Sequence, residues 1–208
     1  YMLSRILLLT IQKNNTDLLG VIAEAVREMS EGQLLQIEKS RNLDITEEIY
    51  FEVIRKKTAS LISACCETAA ISVNSHEHRE RMKNFGILVG MAFQIKDDLM
   101  DFGYDDIGKP KGIDIKEKKL TLPLIYALQK VSTAEKNKMI KLVKNHHEEK
   151  ETFTIILNFI NAQGGMDYAA QKMMEYKHKA IAILAEFPDS SAKESLIQLV
   201  DFTINRKK

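Results

Sequence analysis

The sequence predicts an all-α protein, a helix bundle formed by one domain over residues 1–208. Three observations lead there. Apolar residues recur at three- and four-residue spacing through segments of up to about 28 residues, the signature of long amphipathic helices. Only three prolines and nine glycines punctuate the 208 residues, which leaves room for such helices. No stretch alternates apolar and polar residues with the two-residue period of a strand, and no internal repeat or low-complexity segment stands out. Periodic helices with short joins make a bundle, with any site built from side chains facing its interior.

Each element follows from its residues. Residues 1–12 open in an apolar helical pattern without a cap. Residues 13–16 are a polar turn, with Thr16 or Asp17 as cap for a helix over 18–39. Leu18, Ile22, Ala25 and Met29 form its apolar stripe. Residues 43–46 connect to the next helix, over 47–73, with Thr46 as N-cap and Glu47 and Glu48 favourably placed in the first turn. Ala59, Ser60, Ser63, Ala64, Ala69 and Ala70 give that helix a small-residue face for close packing. His76 and His78 sit in a polar connection and read as solvated turn residues. A helix over 77–102 follows, where Gly86 and Gly90, four apart, predict close helix approach or a bend. After a loop comes a helix over 120–131, opened by Thr121, Leu122 and Pro123, since proline is tolerated in a first turn. Ser132 or Thr133 caps a helix over 134–145, and residues 146–151 form a charged surface turn. Helices over 152–162 and 166–187 follow, separated near Gly164 and Gly165 and closed by Pro188. Ser190 or Ser191 caps a last helix to about Ile204, and Arg206, Lys207 and Lys208 form a fraying basic end.

Composition excludes several classes. A formal net charge of +1 gives no electrostatic reason to expect nucleic-acid binding. No apolar run reaches the ~20 residues needed to span a bilayer, so no transmembrane segment is expected. Residues 3–11 are apolar, but Ser4 and Arg5 interrupt them and no small-residue cleavage site follows. Cys65 and Cys66 are adjacent in a helical pattern, which suits buried free thiols in a reducing, cytoplasmic compartment rather than a disulfide.

The chemistry concentrates between Phe93 and Lys119. On a helix, Asp97 and Asp101 lie one above the other, and like charges so placed cost a few tenths of a kcal/mol. A hard cation between them removes that cost; Mg²⁺ characteristically uses one or two protein carboxylates and completes its octahedron with waters and phosphate oxygens. Asp98 stands beside them. After Gly103 the chain becomes a loop with five lysines between Lys109 and Lys119, punctuated by Gly108, Pro110 and Gly112. Carboxylates on a helix face followed by a lysine-rich loop suit a metal-bound polyphosphate. A solvated helix face beside a surface loop is the alternative, but the acidic helix is otherwise apolar, so its aspartates line a cavity on this reading.

FQIKDDLMDF followed by GKPKGIDIKEKKLTLP closely resembles the second aspartate-rich motif of the trans-isoprenyl diphosphate synthases, the polyprenyl synthetases: FQxxDDxxD, then GKxxGxD, a lysine and a TLP-like segment. Tyr1 to Arg5 resembles the family's GDYLLAR helix, and MSEGQLLQ its EGExLQ segment, with Gln33 where an acid is common. Lys57 and Thr58 resemble its KT pair. The resemblance implies the isoprenoid synthase fold without its N-terminal helices, because the first aspartate-rich motif of the family lies ahead of the segment matching Tyr1. It implies Mg²⁺ on Asp97, with Asp101 beside it and Asp98 oriented through water or a further group. Lys57, Lys109 and Lys119 would hold an allylic diphosphate, Thr58 and Gln94 would orient it, and Phe93 would help wall the cavity. Asp114 is expected to position one of the lysines.

The implied reaction condenses that allylic diphosphate with isopentenyl diphosphate to give a longer trans-polyprenyl diphosphate. The chain as it stands is expected to be inactive, and to form a homodimer through residues 1–11 and 18–37. Two other readings stand beside this. One is a non-catalytic homologous subunit that regulates a prenyl synthase partner. The other is a related all-α terpenoid enzyme, a head-to-head condensing enzyme or a cyclase, of which the GKPKGID segment disfavours the cyclase.

Overall fold

A computed structural model describes residues 1–12, 14–103 and 112–206. Among the described residues every regular element is helical: α1 (Met2–Gln12), α2 (Thr16–Asn42), α3 (Glu47–Ile54), α4 (Ser60–Ser72), α5 (Arg79–Asp101), α6 (Ile113–Lys116), α7 (Leu122–Gln129), α8 (Thr133–His146), α9 (Lys150–Ala162), α10 (Gly165–Ala185) and α11 (Ser191–Asn205). The caps follow local chemistry. Thr46, Ser132 and Ser190 accept from the backbone N–H three residues on, as their side chains suggested. The start of α2 is a correction. Asn15, not Thr16 or Asp17, caps it, accepting from Leu18 N at 3.0 Å.

α5 is the axis of the molecule. It packs on α4 along one side and on α10 along the other. Ile95 and Leu99, one turn apart, are fully buried in a core shared with α3, α7, α9 and α10. The side toward α4 is made smooth by Gly86 and Gly90. A Cβ added at Gly86 would lie 2.5 Å from Ser63 Cα, and one at Gly90 would lie 2.7 Å from Ala59 Cβ. Backbones therefore touch there, and the Ser63 hydroxyl donates across the contact to the Lys83 carbonyl at 2.9 Å.

The helix expected over 47–73 is not continuous. α3 and α4 are joined by a π-turn, Arg55–Ala59, in which one extra residue per turn redirects the side chains. Its position is set from both sides. Gly90 meets Ala59, and on the opposite face a Cβ at Gly32 of α2 would fall 2.7 Å from Lys57 N. The turn is pinched between two glycine backbones, and it carries Lys57 and Thr58.

Four further corrections follow. Cys65 is exposed and Cys66 only half-buried, so the pair is not sequestered as expected. The stretch expected as a loop contains a helical turn, α6. His78 is more than a solvated turn residue: its ring meets Phe187 edge-on at 4.8 Å. Nor does the last described residue fray. α11 packs back on α5, Lys177 Nζ anchors it through Asp201 at 2.7 Å, and Arg206 reaches Asp97.

Candidate active site

Five segments converge on one cavity of about 70 Å³, enough for a small cluster of waters. The π-turn supplies Lys57 and Thr58, α5 supplies Gln94 and Asp98, α6 and the residues after it supply Asp114, Lys119 and Thr121, α2 supplies Gln36 and Lys39, and α3 supplies Tyr50. The lysine, threonine, glutamine and aspartate singled out in separate motifs thus share one wall.

Their hydrogen bonds form a connected set. Lys57 Nζ donates to Gln36 Oε1 at 2.6 Å. The Thr58 hydroxyl donates to Gln94 Oε1 at 2.8 Å. Gln94 Nε2 donates to Asp98 Oδ1 at 2.8 Å, and the Tyr50 hydroxyl donates to Asp98 Oδ2 at 2.7 Å. Lys119 lies 3.7 Å from Asp114 and also pairs with Glu117, so Asp114 does sit against one of the lysines. The Thr121 hydroxyl is buried at the cavity wall with no partner among the described residues.

The three aspartates of α5 have different surroundings. A helix advances about 100° per residue, so adjacent Asp97 and Asp98 face apart. Asp98 is buried and committed to Tyr50 and Gln94. Asp97 is 44% exposed and pairs with the Arg206 guanidinium, which stacks 4.2 Å from the centroid of the Phe93 ring. Phe93 therefore packs under that arginine and is not among the cavity-lining residues. Asp101 accepts the N–H groups of Ile113 and Asp114 at 2.9 and 3.1 Å, which ties the start of α6 to the end of α5. Lys109 lies outside the described residues.

Electrostatics follow from burial. Burial, with the negative charge of Asp114 near it, pushes the Asp98 carboxyl well above the ordinary carboxylate range; the bonds from Tyr50 and Gln94 only partly oppose this. Asp114 is pushed up by burial and by Asp101, and Asp101 by burial against the pull of its two backbone donors. Burial and the neighbouring Lys119 lower the Lys57 ammonium. Burial would lower Lys119 too, but Glu117 and Asp114 outweigh it and raise it. Three lysines, Lys39, Lys57 and Lys119, and two acids, Asp98 and Asp114, line the cavity, and shifted titratable groups gathered in one cavity are characteristic of functional sites.

No group of three or more His, Cys, Asp or Glu side chains gathers into a metal cluster among the described residues. Mg²⁺ does not need one, since a carboxylate or two with waters and phosphate oxygens suffices. Asp97 suits that role, because it is accessible and already draws a cation, the Arg206 guanidinium.

Sequence reasoning missed Tyr50, Gln36, Thr121 and Arg206 as neighbours of the site. The EGQLLQ segment was a signal for Gln36 and the TLP segment for Thr121. Tyr50 and Arg206 reach their aspartates across 48 and 109 residues, and nothing local announces either contact.

The fold is an all-α bundle with a lysine-lined cavity beside its central helix, and the family follows from comparison. Residues 1–160 match the Polyprenyl synthetase family, and the chain belongs to it. It is 35% identical over 191 residues to octaprenyl diphosphate synthase of Escherichia coli K12, covering 90% of this chain and 59% of that protein. It is 32% identical over 192 residues to a short chain isoprenyl diphosphate synthase of Methanothermobacter thermautotrophicus, covering 91% and 58%. Among solved structures, decaprenyl diphosphate synthase from Rhodobacter capsulatus superposes with a TM-score of 0.89 at 31% identity, over 96% of this chain and 62% of that one. Geranylgeranyl pyrophosphate synthase from Bacteroides thetaiotaomicron does so with a TM-score of 0.87 at 36% identity, over 96% and 67%. The isoprenoid synthase fold and the all-α class expected from sequence are borne out by these neighbours. The chain spans about three fifths of the length of the curated relatives it matches. Among the described residues no helix is long and apolar enough to cross a membrane.

Proposed function

We infer that this chain takes part in prenyl transfer: an allylic diphosphate is joined to isopentenyl diphosphate, giving a longer trans-polyprenyl diphosphate. The observation that carries this is the single cavity where Lys57, Thr58, Gln94 and Lys119 meet. Lys57 and Lys119 supply fixed positive charge where a leaving pyrophosphate gains negative charge, so they stabilise the ionising substrate more than the resting one. Thr58 and Gln94 orient the reacting end. Asp97 would hold Mg²⁺, which when bound supplies charge neutralisation and a template for the leaving pyrophosphate. Asp101, one turn on, would hold the start of α6 beside it through the Ile113 and Asp114 N–H groups. Phe93 and the Arg206 side chain cover the outer face of the same helix.

The exposed apolar side chains support pairing of two copies. Ile6, Leu8, Leu9 and Ile11 of α1 and Leu34 and Ile37 of α2 are all at least 40% exposed, more apolar surface than a solvated pair of helices needs. The compartment proposed is the cytoplasm, in keeping with free thiols.

The test is prenyl transfer with isopentenyl diphosphate, farnesyl diphosphate and Mg²⁺, beside calorimetry with pyrophosphate. Pyrophosphate should bind through Lys57 and Lys119. In a protein with turnover, Asp97→Asn should lower it by at least about 10², the cost of losing a preorganised charge. Undiminished turnover in that variant would remove Asp97 from the metal site. Pyrophosphate binding without prenyl transfer in any assembly would favour a non-catalytic subunit.

A further inference from the structure

Thr58 and Gln94 can orient a substrate only if something orients them. A glutamine amide has two nearly equivalent ends, and which one faces Thr58 depends on the groups around it. In this chain the choice is made at Asp98. Its carboxylate is buried and accepts from Gln94 Nε2 on one oxygen and from the Tyr50 hydroxyl on the other. In the ionised form of Asp98 both oxygens are engaged by donors, and the amide nitrogen is held toward it. Gln94 Oε1 then points away, where the Thr58 hydroxyl donates to it at 2.8 Å. The Thr58 proton is used in that bond, so its oxygen presents lone pairs to the cavity.

We propose that Tyr50 is a positioning residue for the proposed prenyl-transfer site. Its hydroxyl fixes the Asp98 carboxylate, and through Asp98 and Gln94 it sets the direction in which the Thr58 hydroxyl points. Tyr50 comes from α3, lines the same cavity as Thr58 without a hydrogen bond to it, and is itself 3% exposed. Buried as it is, it needs an acceptor, and Asp98 is the one it has. Remove the hydroxyl and Asp98 keeps one donor. The carboxylate is then free to turn, and the amide of Gln94 loses the constraint that distinguished its two ends.

The proposal rests on the reading of this cavity as a diphosphate site, and its test separates the two. The first measurement needs no ligand: exchange of the Gln94 side-chain amide protons, followed by NMR in the 208-residue chain and in Tyr50→Phe. The unmodified chain should give a slowly exchanging pair. Tyr50→Phe should speed exchange by about tenfold or more, the factor expected when a bond to a charged group is lost, while melting as cooperatively as the parent. If Tyr50→Phe does not fold, Asp98→Asn, which replaces one acceptor oxygen by a donor, asks the same question. Unchanged exchange in the folded variant overturns the proposal.

The second measurement is a double-mutant cycle on pyrophosphate affinity with Tyr50→Phe and Thr58→Val. If Tyr50 acts through Thr58, the effect of Thr58→Val should change by at least about threefold once the Tyr50 hydroxyl is gone. Strictly additive effects would overturn the proposal even if both variants bind weakly. If the parent chain binds no pyrophosphate, the diphosphate reading fails by itself, and the amide exchange still decides whether Tyr50 orients Gln94.

Discussion

Gly90→Ala tests the geometry that brings the π-turn to α5. A Cβ at residue 90 would lie 2.4 Å from Ala59 Cα and 2.7 Å from its Cβ, against the 3.4 Å at which ordinary contacts begin, so the two backbones must part by about 1.0 Å. Ala59 is fully buried and cannot swing aside. Alanine is the better helix former by about 1 kcal/mol, but overpacking of this kind costs typically 1–3 kcal/mol, so the net effect should be a loss of up to about 2 kcal/mol. For a chain of this length that corresponds to a fall in Tm of roughly 2–4 °C per kcal/mol. The same displacement moves Thr58, next to Ala59, away from Gln94, which holds it at 2.8 Å. Gly20→Ala is the matched control. Gly20 also lies inside a helix, α2, but an added Cβ there meets nothing within 4 Å, so the substitution should stabilise by close to the full propensity difference, about 1 kcal/mol. Urea or thermal denaturation of both variants reads the contrast directly. Gly90→Ala as stable as Gly20→Ala would refute the close approach and with it the pinched position of Lys57 and Thr58.

Three other outcomes are expected. Because the folded chain holds Asp98 with a raised pKa, it keeps a proton that the unfolded chain releases above the usual value of about 4. That group favours the folded state at low pH and loses the advantage as pH climbs toward its folded pKa, so the stability of Asp98→Asn relative to the parent should rise with pH; parallel urea midpoints from pH 5 to 8 would contradict this. Arg206→Gln removes the guanidinium from Asp97, and calorimetry should then give several-fold tighter Mg²⁺ binding, whereas unchanged affinity would mean the metal does not use Asp97. Leu8, 51% exposed on α1, belongs to the face proposed to pair, so Leu8→Glu should yield monomers or aggregates by light scattering; a monomeric parent chain would count against the dimer.

Local chemistry was legible in the sequence, and long-range contact was not. Helix periodicity follows from the apolar spacing of one segment, which is why α2, α5, α10 and α11 come within a few residues of expectation. The capping hydroxyls of Thr46, Ser132 and Ser190 act within three residues of themselves and were equally readable. The π-turn was not. Its residues, RKKTA, contain no helix breaker, and its position is imposed by Gly32 and Gly90 from two other helices. Gly90 was read correctly as a point of close approach, but the partner could not be named without the fold.

The aspartates carry this distinction into the chemistry. As a motif, Asp97, Asp98 and Asp101 make one acidic cluster and suggest one shared task. On the helix they separate. Asp98 turns inward, where burial makes an unpartnered carboxylate costly and Tyr50 and Gln94 satisfy it. Asp97 stays accessible enough to attract a cation. Asp101 spends both oxygens on backbone N–H groups that hold the start of α6, and so bears on where Asp114 and Lys119 stand. On the proposed reading the division has a chemical use. A carboxylate that must trade waters for phosphate oxygens around a cation needs access to solvent, whereas one that fixes the direction of an amide needs to be shielded from it. Adjacent positions on one helix supply both environments because each step along it turns the side chain by about 100°.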